Sequence, residues 1–321
     1  MFKLIIVFLC LIGLSPRHDV LAGERADSFR IAVAIYSTSP KYMQSWLDSL
    51  NEHPAVKDGR AQITVYDGGG SHISQYDQVT TIVTKRYDAM ILIPSDYVSG
   101  TILVHMATQG GVPVIGSCGP VESTELVSYI GSDEEEAGYV IAKSVIEKAG
   151  GKGNFVVLKG PAEMGATIGR DRGVAVALSE YPEARILDGK HANWLRHEAE
   201  TIMTQWLVNY EGRIDGVICQ NDEMALGAVD ALKKAEVPIP PISGVDGIPE
   251  ALAALERGEL YLTLSQDAKT EAQGALDLVF RLLVGAEYRP ESPSWNLYPE
   301  MKWNGGVETR YNVPWRTLGE K

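Results

Sequence analysis

From about residue 29 to about residue 285, short apolar runs of β type alternate with longer stretches of helical spacing. Parallel strands need a crossover of a dozen or more residues, so this alternation predicts βαβ units and an α/β fold built on parallel sheet. The expected strands are 30–36, 62–66, 89–93, 112–115 and 127–130, then 154–158, 185–187, 216–219, 242–245 and 260–264. Helical spacing covers 41–50, 73–85, 100–109, 134–148, 168–180, 196–209, 224–234 and 270–284. Two batches of five strands point to two similar sheets rather than one large one. Glycines at 150, 151 and 153 stop one helix before the second batch begins.

The chain has 321 residues, 45% of them hydrophobic and 22% charged, which is room for about two domains of roughly 150 residues. Lys3 followed by an apolar run over 4–14 and small residues at Ala22 and Gly23 matches a secretion signal, so residues 1–22 are expected to be removed on export. That run is too short for a bilayer, which needs about 20 apolar residues. Cys10 lacks the flanking residues of a lipid-anchor signal. The net charge of −13 becomes −14 once Lys3, Arg17 and Asp19 leave, which disfavours nucleic acid or an anionic membrane surface as partner. Cys118 and Cys219 remain and are expected as buried free thiols.

Polar residues just past strand ends are the candidate ligand contacts, because open α/β sheets bind ligands beyond the carboxyl ends of their strands. Two junctions stand out. Gly216-Val217-Ile218-Cys219 runs into Gln220-Asn221-Asp222-Glu223, and Ile242-Ser243-Gly244-Val245 runs into Asp246-Gly247. Asn221 offers both an acceptor and a donor, and Asp246 takes hydroxyl protons. Helix capping is the competing use of Asn221 or Asp222; the expectation is that Asp222 caps while Asn221 faces the ligand. A turn before Gly247 is the competing use of Asp246.

Four segments together carry a resemblance. They are Ile31-Ala32-Val33-Ala34-Ile35-Tyr36, Gln220-Asn221-Asp222-Glu223-Met224-Ala225-Leu226-Gly227, Gly244-Val245-Asp246-Gly247-Ile248-Pro249-Glu250-Ala251-Leu252 and Leu262-Thr263-Leu264-Ser265-Gln266-Asp267. Through them the chain resembles the periplasmic sugar-binding proteins of ABC transporters, in the galactose/glucose- and ribose-binding branch. The resemblance implies the type I periplasmic binding protein fold: two doubly wound parallel-sheet domains joined by a three-crossing hinge. Domain one is expected over 29–130 plus 267–300, and domain two over 131–266 plus 301–321.

By the same resemblance, Arg170 is the arginine that grips ligand oxygens, Trp194 the aromatic plate that stacks on the sugar, and Gln266 an amide at a domain crossing. Tyr36 and Tyr42 match aromatic or polar positions of the first domain, and Lys41 joins them. Cys118 stands where the family has an amide or carboxylate, followed by Gly119 where it has a basic residue. Met164 and Ala166 replace polar contacts of the galactose branch. One end of the pocket is therefore expected to be less polar, and a pentose, deoxysugar, polyol or non-sugar ligand stays open beside a hexose. The branch's calcium loop is missing, since 149–154 lacks spaced carboxylates. No His/Cys/carboxylate spacing suggests a metal, no cofactor is expected, and no histidine is placed to activate Ser117 or Cys118, so an enzyme is not expected. The expected function is an exported, monomeric receptor that captures a small sugar or polyol and delivers it to the membrane permease of an ABC transporter. Presentation of the ligand to a membrane sensor kinase or chemoreceptor is the alternative.

Overall fold

The computed structural model describes residues 28–319, so the expected signal over 1–22 lies outside the described residues. The first lobe contains β1 (Phe29–Ile35), α1 (Lys41–Asn51), a single turn α2 (Pro54–Lys57), β2 (Ala61–Asp67), α3 (His72–Thr84), β3 (Ala89–Ile93), α4 (Tyr97–Gln109), β4 (Val114–Ser117) and β5 (Ser128–Gly131). The second contains α5 (Glu134–Lys148), β6 (Gly153–Lys159), α6 (Gly165–Ser179), β7 (Ala184–His191), α7 (Arg196–Asn209), β8 (Gly216–Cys219), α8 (Asp222–Lys234), β9 (Ile242–Asp246), α9 (Pro249–Glu256) and β10 (Leu262–Ser265). The chain then returns through α10 (Ala268–Val284), which packs on α1 and on β3, β4 and β5. It closes with β11 (Arg310–Asn312) and β12 (Arg316–Gly319).

The sheets have matching orders, β11-β5-β4-β3-β1-β2 and β12-β10-β9-β8-β6-β7. All pairings are parallel except β12 on β10. Each sheet thus repeats one doubly wound pattern, with helices on both faces. The central strands are apolar throughout because both faces are covered: Ala89–Ile93 and Gly216–Cys219 are buried along their whole length.

Three segments pass between the lobes: β5 to α5, β10 to α10, and β11 to β12. The last corrects the expected division of the tail, because residues 310–312 pair with β5 in the first sheet and only 316–319 join the second. Tyr311 is drawn to the first lobe by an edge-to-face contact with Trp295, ring centroids 4.9 Å apart, and Trp295 is itself anchored to Asp277 through its indole nitrogen at 2.7 Å. Trp315, in the third crossing, donates to the backbone oxygen of Asp133 in the first at 2.6 Å, tying the two together. Among the described residues no helix is long and apolar enough to cross a membrane, and no group of three or more His, Cys, Asp or Glu is placed to hold a metal ion. Cys118 and Cys219 are free and buried.

Candidate functional site: a hollow between the lobes

Strand carboxyl ends from both sheets face each other across one hollow between the lobes. Tyr36, Pro40, Tyr42, Met43 and Cys118 line it from the first lobe, and Met164, Ala166, Arg170, Trp194, Asn221 and Asp246 from the second. Gln266, in the second crossing, completes the lining. Eight of the nine residues singled out from the sequence therefore meet here. Lys41 does not line the hollow. Its ammonium pairs with Glu250 of α9 at the rim, with both side chains over 40% exposed. That pair bridges the lobes, as does the Tyr97 N–H, which donates to the Glu163 carbonyl at 2.8 Å. The lobes are therefore shut on each other at the mouth of the hollow.

Arg170 is held rigidly. It is 4% exposed, donates Nε to Glu134 Oε2 at 2.7 Å and bonds the Gln220 carbonyl, with its guanidinium 5.4 Å from the Trp194 ring centroid and 5.7 Å from that of Trp315. Burial works against its charge, but Glu134 and Asp246 outweigh that and hold its pKa above the ordinary value. Glu134 is pushed up by burial and drawn back by Arg170. The adjacent Asp171 accepts from Lys159 and Gln220.

Trp194 sits at φ +64°, a strained position for a side chain of this size, and points its indole nitrogen at Met164 Sδ, 3.1 Å away. Gly160 makes room for the ring, since a Cβ there would lie 2.0 Å from Trp194 Cζ2. Asp246 also has a positive φ, +123°, at the end of β9. Burial and the neighbouring Asp222 push its carboxyl well above the usual range, against the pull of Arg170.

The capping expectation is corrected. Asn221 is the N-cap of α8, with Oδ1 accepting from the Met224 N–H at 3.0 Å, while its Nδ2 lies 3.5 Å from the Trp194 carbonyl and has a second hydrogen for the hollow. Asp222 is fully buried and holds the turn after Asp246, accepting from Thr263 Oγ1 at 2.6 Å and from the Ile248 N–H at 2.9 Å. Asn221 takes the cap because it is the last extended residue before the helix. Tyr36 is buried, and desolvation raises its phenol.

Sequence reasoning missed Pro40 and Met43, which flank the two residues it did flag in α1. It also missed Glu271, a carboxylate behind the lining that accepts from Tyr42 Oη at 2.7 Å, Cys118 Sγ at 2.8 Å and Gln266 Nε2 at 3.1 Å. An acidic residue in the first turn of a helix reads as a dipole partner, which hid it.

Two shut lobes of this topology, with mixed donors, acceptors and an aromatic plate between them, define a two-lobed solute receptor. Residues 31–287 match the periplasmic binding protein domain family, and the chain belongs to that family. It is 30% identical to the xylitol-binding protein of Mycolicibacterium smegmatis over 84% of this chain and 77% of that protein. An ABC transporter solute-binding protein from Bacillus halodurans C-125 with bound myo-inositol shares the fold at TM-score 0.80 and 22% identity, over 92% of this chain and 96% of that one. So does the fructose-binding periplasmic domain of a hybrid two-component system, at TM-score 0.78 and 24% identity, over 91% of this chain and 90% of that one.

Proposed function

We propose that this chain captures a neutral, hydroxyl-rich small molecule, a polyol or a monosaccharide, between its lobes, and that the shut form is what a membrane permease of an ABC transporter reads. The observation that carries the reading is the convergence of Tyr36, Tyr42 and Cys118 from one lobe with Arg170, Trp194, Asn221 and Asp246 from the other. A ligand bonded to both sets favours the shut state by its differential affinity for it. Two methionines, Pro40 and Ala166 leave part of the hollow apolar, which suits a ligand smaller or less hydroxylated than a hexose at that end. The xylitol-binding relative supports a polyol. Export through removal of residues 1–22 belongs to this reading, and sequencing the mature N-terminus tests it.

Turnover of the ligand is not part of it. Among the described residues Asp246 is the only carboxylate lining the hollow, and glycoside hydrolysis needs two flanking the scissile bond. The functional test is mass spectrometry of ligand carried through purification, followed by calorimetric titration with xylitol, myo-inositol, ribose and galactose. Saturable binding of one of them at one site supports the proposal; no binding by any monosaccharide or polyol ends it. The fructose-binding sensor domain of the same fold favours a membrane sensor as the second reading, and transport of the ligand by cells lacking only this protein distinguishes the two.

A further inference from the structure

Four hydrogen-bond donors converge on Glu271, which is fully buried in the first turn of α10. Tyr42 Oη and Cys118 Sγ both reach Oε2, at 2.7 and 2.8 Å. Ser132 Oγ reaches Oε1 at 3.2 Å, and Gln266 Nε2 reaches Oε1 at 3.1 Å and Oε2 at 3.3 Å. Three of these four residues line the hollow, whereas Glu271 itself stands one layer behind them. These four donors favour the carboxylate, an acceptor at both oxygens, while burial pushes its pKa up against them.

The consequence lies on the ligand side of that layer. A phenol and a thiol have one hydrogen each, and here both are committed to Glu271, which leaves Tyr42 and Cys118 only lone pairs to offer. Resting on the solute-binding reading above, we infer that Glu271 is a specificity-determining positioning residue: it turns the Tyr42–Cys118 wall into a hydrogen-bond acceptor, so that the ligand must present a hydroxyl donor there. The strand end at Ser117-Cys118-Gly119 has no carboxylate of its own, and α10 supplies one from behind. An aldehyde or keto oxygen, a ring ether or a carboxylate presented to this wall is rejected, because each meets lone pairs with lone pairs. The wall therefore selects a reduced, hydroxyl-terminated end such as a polyol carries.

The test is calorimetric titration of the wild-type protein and Glu271→Gln with whichever of xylitol or myo-inositol binds, and with its series of analogues in which each hydroxyl in turn is replaced by fluorine, an acceptor only. In the wild type at least one position loses about 30-fold in affinity on fluorination, the loss expected when a hydrogen bond becomes an acceptor–acceptor contact. In Glu271→Gln the amide donates toward Tyr42 or Cys118 and frees a hydrogen for the ligand. The parent then binds more weakly, and the fluorine penalty at that same position falls below about threefold. A purely structural role would weaken parent and analogue equally, so equal penalties in the two proteins overturn the inference. Should Glu271→Gln not fold, Tyr42→Phe takes its place; the penalty must shrink at the same position, and a full penalty there overturns the inference too. Failure of the wild type to bind any polyol or monosaccharide is a separate result, and it overturns the function reading together with this one.

Discussion

Asn221 has two tasks that one pair of substitutions separates. Its Oδ1 caps α8 through Met224 N, and its Nδ2, which also reaches the Trp194 carbonyl at 3.5 Å, has a second hydrogen to offer a ligand. Asn221→Ser keeps a capping oxygen, since serine caps about as well as asparagine, but its side chain stops one atom short and carries no amide donor. Stability should stay within about 0.5 kcal/mol of wild type. Affinity should fall by about 1–3 kcal/mol, or roughly 5- to 150-fold, because a buried ligand hydroxyl loses its partner. Asn221→Ala loses the cap as well, at about 1 kcal/mol, so its melting temperature should drop by about 2–4 °C while its affinity matches that of the serine variant. Calorimetry reads the first effect and thermal unfolding followed by circular dichroism the second. Wild-type affinity in Asn221→Ser would show that Asn221 is only a cap, and the assignment of this residue to the hollow would fall.

Other perturbations follow from the same geometry. Gly160→Ala places a Cβ 2.0 Å from the Trp194 ring and must push the indole out of position; affinity should drop by about tenfold or more with the fold retained, as titration and circular dichroism will report. Lys41→Ala removes an exposed bridge between the lobes, so ligand affinity should fall less than about fivefold, and raising the salt should shrink the difference further. Burial raises Asp222 to about 7, against the pull of its bonds from Thr263 and Ile248, and Asp246 beside it is raised too. The folded chain holds this proton up to about pH 7, whereas an unfolded aspartate releases it near pH 4, so unfolding releases a proton between those values and stability falls as pH rises through them. Melting temperatures measured from pH 4 to 7 should fall more steeply with pH in wild type than in Asp222→Asn.

The alternation of short apolar runs with helical stretches located all ten strands of the two parallel cores, most plainly the central ones, which are buried on both faces and so continuously apolar. The edge strands β11 and β12 were not legible: Arg310–Asn312 and Arg316–Gly319 are short and polar, and they exist because a sheet edge and Trp295 wait for them. Helix α9, opened by Pro249, was passed over for want of length. At the site, residues at strand ends could be read from topology alone, which is how Asn221 and Asp246 emerged. Arg170 and Trp194 needed the resemblance, since nothing local in a helix or a loop says which way a side chain points. Lys41 was drawn in by its neighbour Tyr42, but one step along a helix turns a side chain by about 100°, enough to carry it from the hollow to the rim. Glu271 depends on contacts 229 and 153 residues away in sequence, with Tyr42 and Cys118, and no local pattern encodes those.

The central claim is that one hydroxyl-rich molecule sits against Asp246 and its companions with the lobes shut around it. Its most direct test is calorimetric titration of the ligand found in the purified protein into wild type and into Asp246→Ala, with melting temperatures taken on both. The account predicts one site per chain in the wild type and about a hundredfold weaker binding in the variant at an undiminished melting temperature. Equal binding by the two proteins would contradict it.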